Sequence, residues 1–102
     1  MSEIYENILK EIAELHGFEI NNKKYDITKC GFLYDILLNG ETLGSIKVWF
    51  RVGSLTPRLT EISFKATEVV KKEIFKDYYI RQFNGNEKYK DCLNKLFEEL
   101  SV

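Results

Sequence analysis

Apolar side chains recur every three or four residues at the start of the chain, which is the spacing of one helix face. The stripe consists of Ile4, Ile8, Ile12 and Leu15. Ser2 is a good N-cap, and Gly17 is placed to end the helix in the left-handed conformation, with Phe18 folding back onto the last turn. The pattern predicts an α-helix over residues 3–16.

Three later stretches alternate between apolar and polar residues, as strands with one buried face do. They are residues 31–38, 43–52 and 60–67. The dipeptide Asn39-Gly40 joins the first two and favours a type I′ turn, in which both central residues take positive φ. The pattern therefore predicts a three-stranded antiparallel meander. Residues 21–24, which precede it, are interpreted as a polar connection.

The last third of the chain returns to helical spacing. Residues 68–83 fit a helix that ends at Asn84-Gly85, although residues 77–83 also fit a fourth strand. Asn86 can cap a final helix with a continuous apolar stripe, formed by Tyr89, Cys92, Leu93, Leu96, Phe97 and Leu100. The sequence thus predicts a single compact α+β domain over residues 1–102, with a three-stranded antiparallel sheet flanked by an N-terminal helix and one or two C-terminal helices.

One face of the predicted hairpin carries more aromatic and cationic residues than a solvent-exposed strand face normally does. If the Asn39-Gly40 turn alone sets the register, that face holds Phe32, Tyr34, Ile36, Leu43, Lys47, Trp49 and Arg51. We predict a binding surface that consists of Trp49, Arg51, Lys47, Tyr34 and Phe32. Such residues are typical of protein interfaces and of sheets that stack nucleic-acid bases. The alternative is that a C-terminal helix covers this face.

The other face of the same sheet is predicted to be the core side. We expect Ile46, Val48 and Phe50 to be buried there. On the third strand, Glu61, Ser63 and Lys65 occupy the alternate positions, and we expect them to be exposed.

Charge is distributed unevenly along the 102 residues, although the net charge is only −1. Residues 1–46 carry four lysines against eight acids, whereas residues 47–90 carry ten basic residues against five acids. The basic segment suggests a secondary patch of Lys71, Lys72, Lys76 and Arg81, which could orient an anionic partner. An ordinary solvated surface is the alternative interpretation, since nearby acids neutralise part of the patch.

Catalytic residues are scarce in this sequence. His16 is the only histidine, and its place at a helix end suits an interaction with the helix dipole. The two cysteines, Cys30 and Cys92, lie far apart, and no phosphate-binding or nucleophile motif is present. We expect no enzyme activity, no metal and no cofactor. Free thiols and the absence of a long apolar run suggest a cytoplasmic protein without a membrane span.

The order of helix, strands and helix is similar to that of double-stranded-RNA-binding domains, but residues 53–58 lack the loop motif of that family and Lys71-Lys72 falls inside the predicted helix. In size, composition and scarcity of catalytic residues, the chain resembles small inhibitor, immunity or anti-defence proteins of phages and mobile elements. That resemblance implies binding to a host protein, and proteins that handle nucleic acid are one class of candidates. Direct nucleic-acid binding is the alternative, although a pI near 5.9 argues against it.

Overall fold

The computed structural model describes residues 3–25, 31–51, 58–75, 79–82 and 88–101. An N-terminal helix is followed by a sheet, and a second helix comes last. The elements are α1 (Glu3–Leu15), β1 (Glu19–Tyr25), β2 (Gly31–Leu38), β3 (Glu41–Arg51), β4 (Arg58–Ala66), a 3₁₀ turn (Glu73–Phe75), β5 (Tyr79–Gln82) and α2 (Tyr89–Ser101). The α+β class predicted from the sequence is confirmed.

The sheet is an antiparallel meander with the order β1-β2-β3-β4-β5, so it has five strands and not the expected three. The first additional strand, β1, occupies the segment that was interpreted as a polar connection. Ile20 pairs with Ile36 and packs against the core. The residues around it are mostly polar, so β1 lacks the alternation of apolar and polar residues that would predict a strand. Asn22 takes a φ of 56°, and the register shifts there, as expected at a β-bulge.

The second additional strand, β5, lies within residues 68–83, where we expected a helix. A turn follows β4, where the Val70 N–H donates to the Thr67 carbonyl at 3.2 Å. Phe75 is buried with its ring centroid 5.4 Å from that of Phe64, whereas Val69 and Ile74 are exposed. The helix prediction is therefore wrong, because only one of these apolar residues is drawn into the core. The strand alternative is confirmed for Tyr79–Gln82.

Both helices pack on one face of the sheet and enclose the core. At the end of α1, Gly17 takes a φ of 82°, and the Phe18 N–H donates to the Ala13 carbonyl at 2.8 Å, which forms a Schellman-type cap. Phe18 is buried, with its ring centroid 5.2 Å from that of Phe97 in α2. The predicted cap and the apolar stripe of α2 are confirmed, while Ser2 and Asn86 lie outside the described residues.

Within the described part of the chain, neither helix is long and apolar enough to cross a membrane.

Candidate functional site

The register of the β2–β3 hairpin decides which residues reach the outer face of the sheet. The turn is the expected one, with φ of 52° at Asn39 and 80° at Gly40 and with Leu38 opposite Glu41. Beyond it, Leu37 lies opposite Thr42 but Ile36 lies opposite Gly44. One residue, Leu43, is therefore left over on β3, which defines a β-bulge.

The bulge is stabilised by Thr67, which directly follows β4. The Thr67 N–H donates to the Leu43 carbonyl at 2.8 Å, and the Thr67 hydroxyl donates to the Thr42 carbonyl at 2.9 Å. Backbone carbonyls at an irregular position therefore keep their hydrogen bonds, which removes the main cost of the bulge.

A shift of one residue exchanges the two faces of a strand. Phe32 now lies opposite Val48, and Tyr34 lies opposite Ile46, so both aromatic residues point into the core. The Tyr34 hydroxyl donates to the buried Glu6 carboxylate at 2.9 Å. Our placement of Phe32 and Tyr34 on the binding surface was wrong.

One residue in the sequence signals this irregularity. Gly44 lies within a strand, where glycine often marks a bulge or a close approach. A Cβ atom at Gly44 would overlap the Lys65 carbonyl oxygen and would lie 2.5 Å from Cζ of Phe64. Only glycine fits at this position, and its presence could have predicted the shift.

Trp49 lies on the middle strand of the outer sheet face, in the row where β2 begins. One row across this face places Leu33 opposite Lys47, Lys47 opposite Ser63, and Ser63 opposite Ile80. Trp49 lies two residues after Lys47 on β3 and so points to the same side. We call Leu33, Lys47, Trp49, Ser63 and Ile80 the Trp49 face.

The indole ring of Trp49 is held by two neighbours. The ammonium of Lys47 lies 3.7 Å from the ring centroid, and the indole N–H donates to the Ser63 hydroxyl at 3.4 Å. Ser63 is only 2 % exposed, so the expectation that it faces solvent was wrong. Trp49 is itself half-buried. These contacts restrict the ring before any partner arrives.

The acidic groups around the Trp49 face accept hydrogen bonds from neutral donors. Glu61 accepts one from Gln82 at 3.2 Å. Asp35 accepts one from the Asn22 amide at 2.9 Å and one from the Ser45 hydroxyl at 3.1 Å. Both carboxylates thus belong to local hydrogen-bond networks, and Asp35 is bonded to a residue of β1 and to a residue of β3.

The Trp49 face lies opposite the helices. The buried side chains of α1 and α2 share one apolar cluster with Phe32, Ile46, Val48 and Phe64, which lie on the other side of the strands. Leu33, Trp49 and Ile80 do not belong to that cluster. The alternative in which a C-terminal helix covers this face therefore does not hold for the helices that the structure describes.

The remaining predicted site residues are Arg51 and the four residues of the secondary basic patch. Arg51 lies at the end of β3 opposite Arg58, and its side chain is outside the described part of the structure. Lys71 is exposed, whereas the half-buried Lys72 donates to the Glu99 carbonyl. Lys76 lies outside the described residues, and Arg81 is described only as a position in β5 opposite Ile62. In the described part of this segment, residues 68–72 form no helix and Tyr79–Gln82 form a strand, so the basic patch does not lie on the helix predicted there.

His16 makes structural contacts between the two helices. Its Nε2 atom lies 2.9 Å from Oδ1 of Asn94, and its ring stacks on Phe97 with centroids 5.9 Å apart. Cys92 is half-buried, and Cys30 lies outside the described residues. In the part of the chain that the structure describes, no three His, Cys, Asp or Glu residues are grouped so that they could hold a metal ion.

Comparison with protein-family models, curated proteins and solved structures finds no match for this chain.

Proposed function

We propose that this chain is a small non-enzymatic module that binds a host protein through the Trp49 face, in the manner of inhibitor or anti-defence proteins of phages and mobile elements. One observation carries the proposal. Trp49 lies on the middle strand of a sheet face that the described helices leave uncovered, and Lys47 and Ser63 hold its ring in place.

This geometry has the properties of a protein anchor. Tryptophan is among the residues that contribute most to protein interfaces, especially near the centre of the contact. Ordering a side chain on binding costs free energy, and a ring that is already restrained avoids part of that cost. Leu33 is half-buried and Ile80 is 44 % exposed, so apolar surface extends on both sides of Lys47.

The nucleic-acid alternative receives less support. Sheets that bind single strands stack successive bases on several aromatic side chains. With Phe32 and Tyr34 in the core, Trp49 is the one aromatic side chain described on the outer face. Asp35 and Glu61 lie on that face among Lys24, Lys47 and Lys65, so the face is not a continuous basic surface of the kind that follows a phosphate backbone. These features favour a protein partner.

The proposed mode of action is occupation of a partner's surface, without chemical change. The shape and charge of the Trp49 face would select the partner, and proteins that handle nucleic acid are the first class to examine. Inhibition would then follow from blocking a surface that the host protein needs.

The proposal can be tested by capture from host lysate with the parent protein, Trp49→Ala and the control Val69→Ala, each with and without nuclease. Val69 is 44 % exposed in the turn after β4, so its truncation removes apolar surface outside the Trp49 face. We expect the parent and Val69→Ala to capture the same host protein in both conditions, and Trp49→Ala to lose it. Capture that disappears with nuclease would favour the nucleic-acid alternative.

Affinity for the captured protein provides the second measurement. Truncation of a central anchor costs about 2 kcal/mol or more, which corresponds to roughly 30-fold weaker binding. The salt dependence should be shallow, because contacts to several phosphates would make it steep. Trp49→Ala binding as tightly as the parent, while remaining folded, would eliminate the Trp49 face as the site.

A further inference from the structure

A second apolar surface lies on α1, on the helix side of the sheet. Ile4 is 67 % exposed and Leu15 is 77 % exposed, the highest values among the exposed large apolar residues that the structure describes. They are separated by eleven residues, so they lie about 20° apart around the helix axis and about 16 Å apart along it. Ile8, which is half-buried, lies between them on the same flank. We call Ile4, Ile8 and Leu15 the α1 stripe.

The α1 stripe is bordered by negative charge. Glu11 is exposed and falls within the stripe, about 20° from Ile4, and the exposed Glu14 lies on its border. The one lysine of α1, Lys10, is about 120° away from Ile4 around the helix. Its ammonium lies 5.8 Å from the Tyr34 ring centroid, over β2. Lys10 lies four residues before Glu14 and offsets part of its charge, whereas Glu11 has no lysine three or four residues away on α1. The stripe therefore combines apolar surface with a negative charge at Glu11.

We propose that the α1 stripe binds an amphipathic helix of another protein whose apolar face is flanked by lysine or arginine. Ile4, Ile8 and Leu15 are apolar anchors along one helix face three turns long, and Glu11 lies among them one helical repeat after Ile4. The charge of Glu11 and Glu14 complements a basic flank, attracting such a partner and disfavouring an acidic one.

Charge also argues against two other occupants. An anionic membrane surface attracts amphipathic helices with basic polar faces, whereas Glu11 and Glu14 would be repelled. A second copy packed through the same stripe would bring two Glu11 carboxylates into one contact, which is unfavourable. A basic helical partner is the occupant that satisfies both the apolar row and its acidic border.

The α1 stripe and the Trp49 face are separate surfaces. α1 packs on the core face of the sheet, and the Trp49 face is the opposite one. Binding at the stripe can therefore be measured independently of Trp49. If both surfaces are occupied, this chain holds two proteins on opposite sides of one sheet.

The test uses two synthetic helical peptides of about 14 residues with leucines at helical spacing, one with lysines on the flanks and one with glutamates at the same positions. Their binding to the parent protein is measured by fluorescence anisotropy. We expect the lysine peptide to bind at least about tenfold more tightly than the glutamate peptide, and the difference to shrink at about 0.5 M salt. Equal binding of both peptides, or no binding of the lysine peptide at about 1 mM, would overturn the proposal.

Variants then locate the site. Ile4→Ser combined with Leu15→Ser, and separately Glu11→Lys, should each weaken the lysine peptide at least about tenfold, while Val69→Ser and Trp49→Ala should leave it unchanged. The altered side chains are exposed, so the melting temperature should change little. Parent-like binding by the folded serine variant would overturn the assignment, as would binding to anionic phosphatidylglycerol vesicles or self-association that the serine variant abolishes.

Discussion

The ammonium of Lys47 lies 3.7 Å from the centroid of the Trp49 ring, on the middle strand of the outer sheet face. The two residues are separated by one position on β3, so strand geometry brings them to the same side. Trp49 is the only tryptophan in the sequence, and the tryptophan fluorescence of the protein therefore reports the surroundings of this one ring.

Lys47→Met should change the emission of Trp49, because the nearest cation is removed from the ring. The free energy of unfolding should fall by less than about 1 kcal/mol, as expected for a partly exposed cation–π contact. Fluorescence spectra and urea denaturation measure the two effects. Lys65→Met is the control, since Lys65 is an exposed lysine on β4. Equal spectral changes in both variants would contradict a specific contact between Lys47 and Trp49.

Tyr34→Phe should reduce stability without weakening partner binding. Its hydroxyl donates to the buried Glu6 carboxylate, which also pairs with Lys23 at 2.6 Å. Loss of a hydrogen bond to a charged group should cost roughly 1.5–3 kcal/mol in the free energy of unfolding. Chemical denaturation measures this loss, and the affinity of the folded variant for the captured host protein should match the parent. A binding defect in folded Tyr34→Phe would mean that the interaction surface extends beyond the Trp49 face.

Gly44→Ala should destabilise the sheet, because the added Cβ would overlap the Lys65 backbone and the Phe64 ring. Overpacking of this kind costs about 1–3 kcal/mol. Thr42→Ala, an exposed position two residues earlier on β3, should change the free energy of unfolding by less than about 0.5 kcal/mol. Urea denaturation of both variants provides the comparison. Parent-like stability of Gly44→Ala would show that this close approach does not fix the register.

Tyr89→Phe should alter how stability responds to alkaline pH. Burial raises the pKa of Tyr89 well above its ordinary value, and the nearby Glu6 carboxylate raises it further. Above about pH 10 the unfolded chain loses this phenolic proton while the folded protein keeps it, so stability falls by about 1.4 kcal/mol per pH unit from this group. The variant lacks that loss.

At neutral pH the same variant should be less stable by about 0.5–1.5 kcal/mol, because the Tyr89 hydroxyl no longer donates to the Tyr5 carbonyl at 2.8 Å. The difference between parent and variant should then narrow as the pH rises from about 9 to 11. Denaturation curves at several pH values measure it. A constant difference across this range would indicate that Tyr89 ionises normally in the folded protein.

Local signals in the sequence were sufficient for the elements that carry their own pattern. The helical spacing of α1 and its end at Gly17, the continuous stripe of α2, and the Asn39-Gly40 turn all act within a few residues of one another. The two edge strands had weaker signals, since β1 was interpreted as a connection and β5 fitted a strand only as an alternative to a helix. β1 is mostly polar and β5 has four residues, so their conformation depends on pairing with β2 and β4.

The sequence placed Lys47 and Trp49 on one side of β3, since alternation along a single strand is local. Only the tertiary structure decided which residues of β2 join them. The bulge at Leu43 moves the register by one residue, and this buries Phe32 and Tyr34 and brings Leu33 beside Lys47. That choice reflects the burial of two aromatic rings, the hydrogen bonds of Thr67 to the bulge and the fit of Gly44 against Phe64, all of which arise only when distant segments pack together.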